Sequence, residues 1–347
     1  MIGRGWDFSS LAESGWPTRR DLDRCVADRP AVLFHASGHL AVANSPALEL
    51  LRIDRRSVDP PGGRLGRDRD GEPTGLLFEA AASGASRIAQ ESLIAEPELL
   101  RPVLEELPRW GLTAVGTMNA HPAEMSALRT LDARSPLPVR IRAYLGLRWW
   151  MSLDEPRAAA EISAGSRLTV AGVKAFADGA FGTRTAHLSA PYADAPTTSG
   201  MDVDSIEQMA AGFRRAHGHG IVGSAHALGD LGLEHALKAI ERSRSGSTPA
   251  PDRIEHAGLV PPPMIERLRR LAPVVVVQPI FVWTDHWLST RLGTERARWA
   301  YPLRSMEEAG IVLAGSSDAP FDQLDPWVGM RAATERADAD GRSANPV

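Results

Sequence analysis

The sequence predicts an α/β fold built on a parallel sheet, of the (β/α)8 barrel type with one unit missing. From about residue 96 onwards, short apolar runs alternate with helical segments, which is typical of parallel strands joined by right-handed crossovers. Seven such repeats are present, one short of a closed barrel. Several of the predicted strands also end in polar residues, as the strands of such barrels do at the face that carries the active site.

Residues 1–95 have a different character. Short apolar pieces are mixed there with turn-rich stretches such as 59–63 and 67–71. This irregular region predicts a compact inserted α+β subdomain over 1–95. The barrel portion, with strands two to eight, then occupies 96–347.

In the second region, the order of elements follows from the alternation of apolar runs and helical periodicity. A short helix follows the first strand. The other helices are predicted at 97–110, 203–218, 231–243, 262–271 and 303–309. The strands are predicted at 112–117, 139–145, 168–176, 220–226, 252–256, 273–278 and 311–318.

The composition excludes several classes of function. Of the 347 residues, 43% are hydrophobic and 24% charged, and the net charge of −4 gives no basic surface for nucleic acid. No apolar stretch is long enough to span a membrane, and the first residues do not resemble a signal peptide. The single cysteine, Cys25, precludes an intramolecular disulfide. We therefore expect a cytoplasmic protein that binds neither nucleic acid nor membrane.

Lys174 is the most unusual residue of the chain. The sequence contains only two lysines, and Lys174 lies within the predicted buried strand 168–176. A charged amine is costly there unless it is paired or chemically changed. Arginine cannot replace lysine where a deprotonatable, nucleophilic amine is needed. The alternative is a lysine at a strand end whose amine extends to solvent.

Four predicted strands carry polar residues at or near their carboxyl ends: Lys174, His226, His256 and Asp318. In a parallel barrel these ends meet at one face, where active sites form. Two imidazoles and a carboxylate suit zinc or a similar divalent ion. Taken singly, each histidine could be a hydrogen-bonded structural residue, and Asp318 could initiate a turn. The shared position of all four favours a metal site.

Several motifs extend this pattern over nearly the whole chain. By these motifs the sequence resembles the amidohydrolase superfamily, and within it the amidohydrolase-3, YtcJ-like branch that includes N-substituted formamide deformylase. The matching segments are Gly3–Asp7, Gly38-His39, Asn44-Ser45, Val173–Ala180, Thr183–Ala186, Pro191-Tyr192, His226–Asp230, Arg253–His256, Gln278-Pro279, Pro302–Ser305 and Gly315–Pro320.

The resemblance implies a metal-dependent hydrolase that cleaves a C–N bond in a small amide or formamide-like substrate. Lys174 would be carboxylated and would bridge two metal ions, with His226 and His256 as ligands of the second. Asp318 would bind metal and act as general base on the hydrolytic water. The cofactor is expected to be zinc, as one or two ions. Substrate-contact or supporting roles would fall to His39, Asp178, Arg184 and Gln278.

The sequence also departs from the family pattern. The family has a His-x-His pair at the end of its first barrel strand, and the only such spacing here is His217-Gly218-His219. That pair follows a predicted helix, so we expect a solvated helix end. The chain thus resembles a family member truncated at both ends, without the first strand.

This departure leads to further expectations. The remaining ligands should hold at most one divalent ion well. The exposed edges of an open sheet should favour self-association. The alternatives are a catalytically inactive remnant of such an enzyme, or a structural α/β protein whose polar strand ends are coincidental.

Overall fold

The structure is a computed structural model that describes residues 1–7, 15–86, 96–162, 167–244, 250–337 and 341. It divides into two compact units, Met1–Glu91 and Ser92–Val347. The boundary expected after residue 95 lies outside the described residues, as do residues 342–347.

The N-terminal unit is built on a five-stranded sheet, with strand order β1-β2-β3-β5-β4. The pair β1–β2 is parallel, and the other neighbouring pairs are antiparallel. The sequence did not show where these strands lie, because strands of four to seven residues between turns give only a weak sequence signal. The strands are β1 (Ile2–Trp6), β2 (Val32–His35), β3 (Leu40–Ala43), β4 (Gly63–Arg67) and β5 (Pro73–Glu79).

Close packing inside this unit depends on a glycine of β5. Gly75 has φ +95°, and a Cβ atom at this position would lie 2.4 Å from the carbonyl oxygen of Ala43. Only glycine adopts this backbone conformation at so short a distance without strain. The helices Arg19–Cys25 and Ser45–Leu50 are among those that accompany the sheet. The second begins at Asn44, whose side chain accepts a hydrogen bond from the N–H of Ala47.

The C-terminal unit contains a seven-stranded, wholly parallel sheet with its strands in sequential order. The predicted parallel sheet is confirmed, with bounds that differ from the prediction by up to three residues. Its strands are β6 (Ala114–Ala120), β7 (Arg140–Gly146), β8 (Leu168–Phe176), β9 (Val222–Ala227), β10 (Arg253–His256), β11 (Val274–Val277) and β12 (Leu313–Gly315).

The helix predicted at 97–110 consists of three short pieces. They are the 3₁₀ turn Pro97–Leu100, the α-helix Arg101–Glu106 and the 3₁₀ turn Leu107–Trp110. Proline is found near the start of each piece, and a proline lacks the N–H that a continuous helix requires.

The other predicted helices are present. The described α-helices of the C-terminal unit after residue 110 are Pro122–Arg134, Leu147–Ser152, Glu155–Ile162, Ile206–Gly218, Asp230–Ser243, Pro262–Leu271, Phe281–Thr284, Leu288–Leu292, Thr294–Ala297, Leu303–Glu308 and Pro326–Glu335. The sequence did not reveal the helices of four or five residues between β11 and Leu303, because they are too short to show a helical period.

Two apolar clusters pack this unit. The larger joins the strands to the surrounding helices and includes fully buried residues such as Val173, Ala225 and Ile254. A second cluster is formed by segments that follow β8 to β11, and it includes Phe181 and Leu228. These segments leave the carboxyl ends of the strands, which is where the predicted site residues lie. In the described part of the chain, no helix is long and apolar enough to cross a membrane.

Candidate metal centre

Three of the predicted ligands lie on adjacent strands in the middle of the sheet. In the parallel register, Lys174 of β8 is paired with Ser224, and Phe176 is paired with His226 of β9. His226 in turn is paired with Glu255 of β10, directly before His256. Because paired residues of neighbouring strands point to the same side, Lys174, His226 and Glu255 share one face of the sheet.

The two predicted histidine ligands are in contact. The ring centroids of His226 and His256 lie 4.4 Å apart, with an angle of 67° between the ring planes. Both side chains are buried. His256 and Ala257 have φ +75° and +47°, so the chain enters the left-handed region where β10 ends. This breaks the alternation that would place His256 and Glu255 on opposite faces, and we infer that it brings His256 against His226.

A backbone carbonyl determines the tautomer of His226. Its Nε2 lies 3.0 Å from the carbonyl oxygen of Gly179. A carbonyl oxygen can only accept, so Nε2 carries the proton and the neutral ring has its lone pair on Nδ1. The carboxylate of Asp178 lies near the same nitrogen, with Oδ1 at 3.7 Å.

Gln278 determines the tautomer of His256 in the same way. The Gln278 amide nitrogen lies 2.8 Å from the Ser316 hydroxyl and donates to the carbonyl oxygen of Val276 at 3.4 Å. Because a carbonyl oxygen can only accept, the second contact assigns the amide orientation. The amide oxygen Oε1 then accepts from Nδ1 of His256 at 2.7 Å. The lone pair of the neutral His256 ring is thus on Nε2. Gln278 was predicted to contact substrate or to support the site, and in this structure it is hydrogen-bonded to His256.

Lys174 is the buried amine that the sequence predicted, with 3% of its surface exposed. Its ammonium nitrogen lies 5.1 Å from the centroid of the Phe176 ring. Burial lowers the pKa of Lys174 to about 8, although the charges of Glu255, Asp318 and Asp178 act to raise it. Near physiological pH most of this amine is still protonated, but its neutral fraction is much larger than that of an exposed lysine.

Glu255 also belongs to this region, although it was not among the predicted site residues. This buried carboxylate is the strongest charge that favours protonated Lys174. It also forms an ion pair with Arg253 at 2.9 Å and accepts from the Ser224 hydroxyl at 2.7 Å. Arg253 also donates a hydrogen bond to the Tyr144 hydroxyl at 2.6 Å. The available signal was the i, i+2 spacing of Arg253 and Glu255, which places both on one face of a strand.

Asp318 lies three residues beyond the end of β12, in a half-exposed loop with φ +56°. It is close enough to Lys174 to raise the pKa of that amine. Among the described residues, only His187, Asp202 and His235 form a set of three His, Cys, Asp or Glu ligand atoms within 4.8 Å of one another. Asp318 does not form such a set with His226 and His256, so their convergence on one ion stays a prediction.

Asp178 has a structural role in this arrangement. Its carboxylate accepts hydrogen bonds from three backbone N–H groups, those of His187 at 2.9 Å, Leu228 at 3.0 Å and Gly229 at 2.7 Å. These bonds tie the segment after β8 to the start of the helix Asp230–Ser243. Asp178 therefore holds the carboxyl ends of β8 and β9 in position, beside His226.

The remaining predicted contacts are engaged in ion pairs. Arg184 lies 2.9 Å from Asp194, which also binds Arg291 at 2.6 Å. His39 belongs to the N-terminal unit, where its Nδ1 lies 2.7 Å from Glu79. Substrate contacts by Arg184 and His39 stay predictions.

The His217-Gly218-His219 motif ends the helix Ile206–Gly218, as predicted. The expectation of a solvated end was wrong for His217, whose side chain is 8% exposed and lies 2.7 Å from the buried Asp252. His219 lies 2.8 Å from Glu155. These two imidazoles pair with different carboxylates.

Comparison with known proteins identifies the family. Residues 1–345 match the amidohydrolase family. The chain is 33% identical to YtcJ of Bacillus subtilis (strain 168), over 97% of this chain and 64% of that protein. It is 26% identical to the N-substituted formamide deformylase of Arthrobacter pascens, over 99% of this chain and 66% of that enzyme.

A solved structure shows the same fold. An uncharacterized metal-dependent hydrolase from Pyrococcus horikoshii OT3 superposes with a TM-score of 0.77 and 33% identity, over 99% of this chain and 66% of that one. The chain thus spans slightly less than two thirds of the length of these relatives. The match over residues 1–345, together with the parallel sheet and its buried histidine pair, shows that this chain belongs to the amidohydrolase family.

Proposed function

We propose that the protein contributes to a metal-dependent hydrolase that cleaves a C–N bond in a small amide or formamide-like substrate. The observation that carries this proposal is the buried pair of His226 and His256. Each ring donates a hydrogen bond from one nitrogen, which leaves the lone pair on its other nitrogen. The name of the Arthrobacter pascens relative supports the substrate class.

The residues of this region fit a divalent ion. Neutral imidazole is a good ligand for zinc, and metal-binding histidines commonly donate their second ring N–H to a carbonyl or carboxylate, as both rings do here. His226 would bind through Nδ1 and His256 through Nε2. When bound, such an ion supplies Lewis acidity for the scissile carbonyl and for the hydrolytic water. Zinc, as one or two ions, is the metal we propose.

Lys174 would supply an anionic ligand after carboxylation. The neutral amine attacks the carbon of CO₂, an N–C bond forms, and the nitrogen loses a proton to solvent. The reaction requires the neutral amine, and burial increases the neutral fraction by lowering the pKa of Lys174 to about 8. The product is a carbamate, whose oxygens suit a divalent ion better than an ammonium does.

Asp318 would act as the general base. Its carboxylate is partly exposed, at the carboxyl end of the sheet, so it can take a proton from water and return it to the leaving nitrogen.

We further infer that the seven-stranded sheet corresponds to strands two to eight of a (β/α)8 barrel, and that residues 1–95 form an inserted subdomain. A cytoplasmic location and the lack of nucleic-acid or membrane partners stay predictions.

A second candidate is a non-catalytic member of the family. Among the described residues, Asp318, His226 and His256 do not offer three ligand atoms within 4.8 Å of one another, which is compatible with this candidate. The same carboxyl-end residues would then serve stability rather than hydrolysis.

Metal content and hydrolysis of the full chain test both candidates. We expect zinc in the purified protein, less zinc in His226→Ala, and an unchanged amount in His286→Ala, where the altered histidine is exposed. Release of amine from a panel of N-substituted formamides and amides, lost in Asp318→Asn, would support the enzyme. Bound zinc with no hydrolysis across the panel would favour the non-catalytic candidate. Equal zinc in His226→Ala and wild type would contradict the proposed centre.

A further inference from the structure

A second group of ligand-type side chains lies outside the proposed centre. Nδ1 of His187 and Nδ1 of His235 each lie 2.8 Å from the same oxygen, Oδ1 of Asp202. The two rings are 5.5 Å apart between centroids and almost perpendicular, at 85°. All three ligand atoms lie within 4.8 Å of one another. The resemblance to amidohydrolases assigned no role to these residues.

The backbone holds two of the three residues in place. The N–H of His187 donates to Asp178, and its carbonyl accepts from the N–H groups of Leu231 and Gly232, both at 3.1 Å. His187 is thereby attached to the start of the helix Asp230–Ser243, which carries His235 in its second turn.

Asp202 is fixed through its two neighbours. Met201 N–H donates to the Thr185 carbonyl, and Val203 N–H donates to the Ala177 carbonyl, both at 3.2 Å. The three side chains are therefore presented by fixed backbone, which is what a metal site requires.

The local charges favour a cation. Hydrogen bonds from His187 and His235 hold the pKa of Asp202 well below its usual range, although burial raises it, so the carboxylate is an anion. The hydrogen bond to Asp202 raises the pKa of His187, and the charges of Asp178 and Asp230 add to this effect. A divalent ion held by the three side chains would neutralise the negative charge of Asp202.

Two of the three distances between the ligand atoms are close to those around an ion with ligands at right angles. Metal–ligand bonds of about 2.1 Å place neighbouring ligand atoms about 3 Å apart at 90° and about 3.4 Å apart in a tetrahedron. The observed 2.8 Å between Oδ1 and each nitrogen is closest to the first arrangement. Two imidazoles and one carboxylate at such angles suit borderline divalent ions of the first transition row. The side chains are partly exposed, so water can complete the coordination.

We propose that His187, Asp202 and His235 form a second divalent-metal site with a structural role. The ion would clamp the long connection between β8 and the helix Ile206–Gly218 onto the helix Asp230–Ser243. An ion that binds the folded chain and not the unfolded chain stabilises the folded state by mass action. The clamp would also fix Asp178, which binds the N–H of His187 and lies beside His226.

Co²⁺ binding to the full, metal-stripped chain tests the proposal at pH 7.5, where most of the histidine protons can be displaced. We expect His187→Ala, Asp202→Asn and His235→Ala each to bind one Co²⁺ fewer per chain than wild type in equilibrium dialysis. Co²⁺ should also raise the Tm of wild type by more than that of the three variants. His286→Ala is the matched control and should behave as wild type.

His226→Ala separates the two sites. It removes a ligand of the proposed catalytic centre, and it should retain the Co²⁺ that His235→Ala loses. Far-UV circular dichroism verifies that each variant is folded. The proposal is overturned if folded His187→Ala, Asp202→Asn and His235→Ala bind as many Co²⁺ ions as wild type. The proposal is equally overturned if wild type binds no Co²⁺ at millimolar concentrations of the ion.

Discussion

Gly232 lies directly against Asp178, so that a Cβ atom added to Gly232 would stand 2.3 Å from Oδ2 of the aspartate. This carboxylate accepts three backbone hydrogen bonds and lies beside His226. The absence of a side chain at Gly232 is therefore what allows the helix Asp230–Ser243 to begin next to Asp178. The candidate metal centre depends on this close approach.

The first prediction concerns this contact. Gly232→Ala should lower the free energy of unfolding by about 1–3 kcal/mol, because the methyl group displaces a buried carboxylate and its hydrogen bonds. Urea denaturation measures the change. Gly218→Ala is the control: it has no atom within 4 Å of the added Cβ and should change the stability by less than about 1 kcal/mol. Equal stability of Gly232→Ala and wild type would contradict the packing described.

The second prediction concerns the orientation of His256. Gln278→Leu removes the acceptor for Nδ1 and should weaken zinc binding about 10- to 100-fold, as loss of such a partner commonly does. Gln278→Glu keeps an acceptor at this position and should bind zinc more tightly than Gln278→Leu. Competition with a chelator measures both dissociation constants. If the two variants bind zinc as wild type does, Gln278 does not orient a ligand.

The third prediction concerns the chemistry of Lys174. Incubation with ¹³C-labelled bicarbonate near pH 8 should give a carbamate signal in the carbon NMR spectrum of wild type, and Lys174→Met should lose it. The chain has only one other lysine, so Lys238→Met is a closely matched control and should retain the signal. A carbamate signal that persists in Lys174→Met would assign the modification to another amine.

The fourth prediction follows from the pKa of Lys174, which burial lowers from 10.5 to about 8. Below pH 8 the amine is protonated in both the folded and unfolded states. Between pH 8 and 10.5 the unfolded chain binds more protons, so the stability of the metal-free protein rises with pH. The contribution should be roughly 1–2 kcal/mol between pH 8 and 9.5.

Comparison with Lys174→Met isolates this contribution. The difference in free energy of unfolding between wild type and Lys174→Met should shift in favour of wild type as the pH rises through this window. A difference that is independent of pH would mean that the amine of Lys174 is as basic in the folded protein as in water.

The fifth prediction concerns self-association. In the described part of the chain, β12 is hydrogen-bonded to β11 alone, so its other side is an open edge of the sheet. Val312, directly before β12, is 63% exposed. An exposed edge with apolar side chains favours pairing with another chain, and a lysine opposes it.

If the chain associates through this edge, Val312→Lys should reduce its concentration-dependent association, which sedimentation velocity measures. Val58→Lys changes a valine that is 84% exposed in the N-terminal unit and should leave association unchanged. A wild-type chain that remains monomeric at high concentration would argue against association through this edge.

The alternation of apolar strands and amphipathic helices was sufficient to predict the parallel sheet and the position of each of its strands. Such patterns are visible in sequence because burial of one face imposes a period on the side chains. The same reasoning located the buried amine of Lys174 and the histidines at the ends of β9 and β10. It did not locate the individual strands before residue 80, because short strands joined by turns leave no clear period.

Other features depend on contacts between distant residues, and only the tertiary structure determined them. The left-handed backbone at His256 overrides strand alternation, and Gly179 and Gln278 select the protonated nitrogens of the two rings. The group of His187, Asp202 and His235 has no local spacing that would indicate it. The sequence by itself thus determined the periodic fold and the residue types of the site, because burial acts on each strand separately. The folded chain determined their geometry, because hydrogen bonds and close packing join residues far apart in sequence.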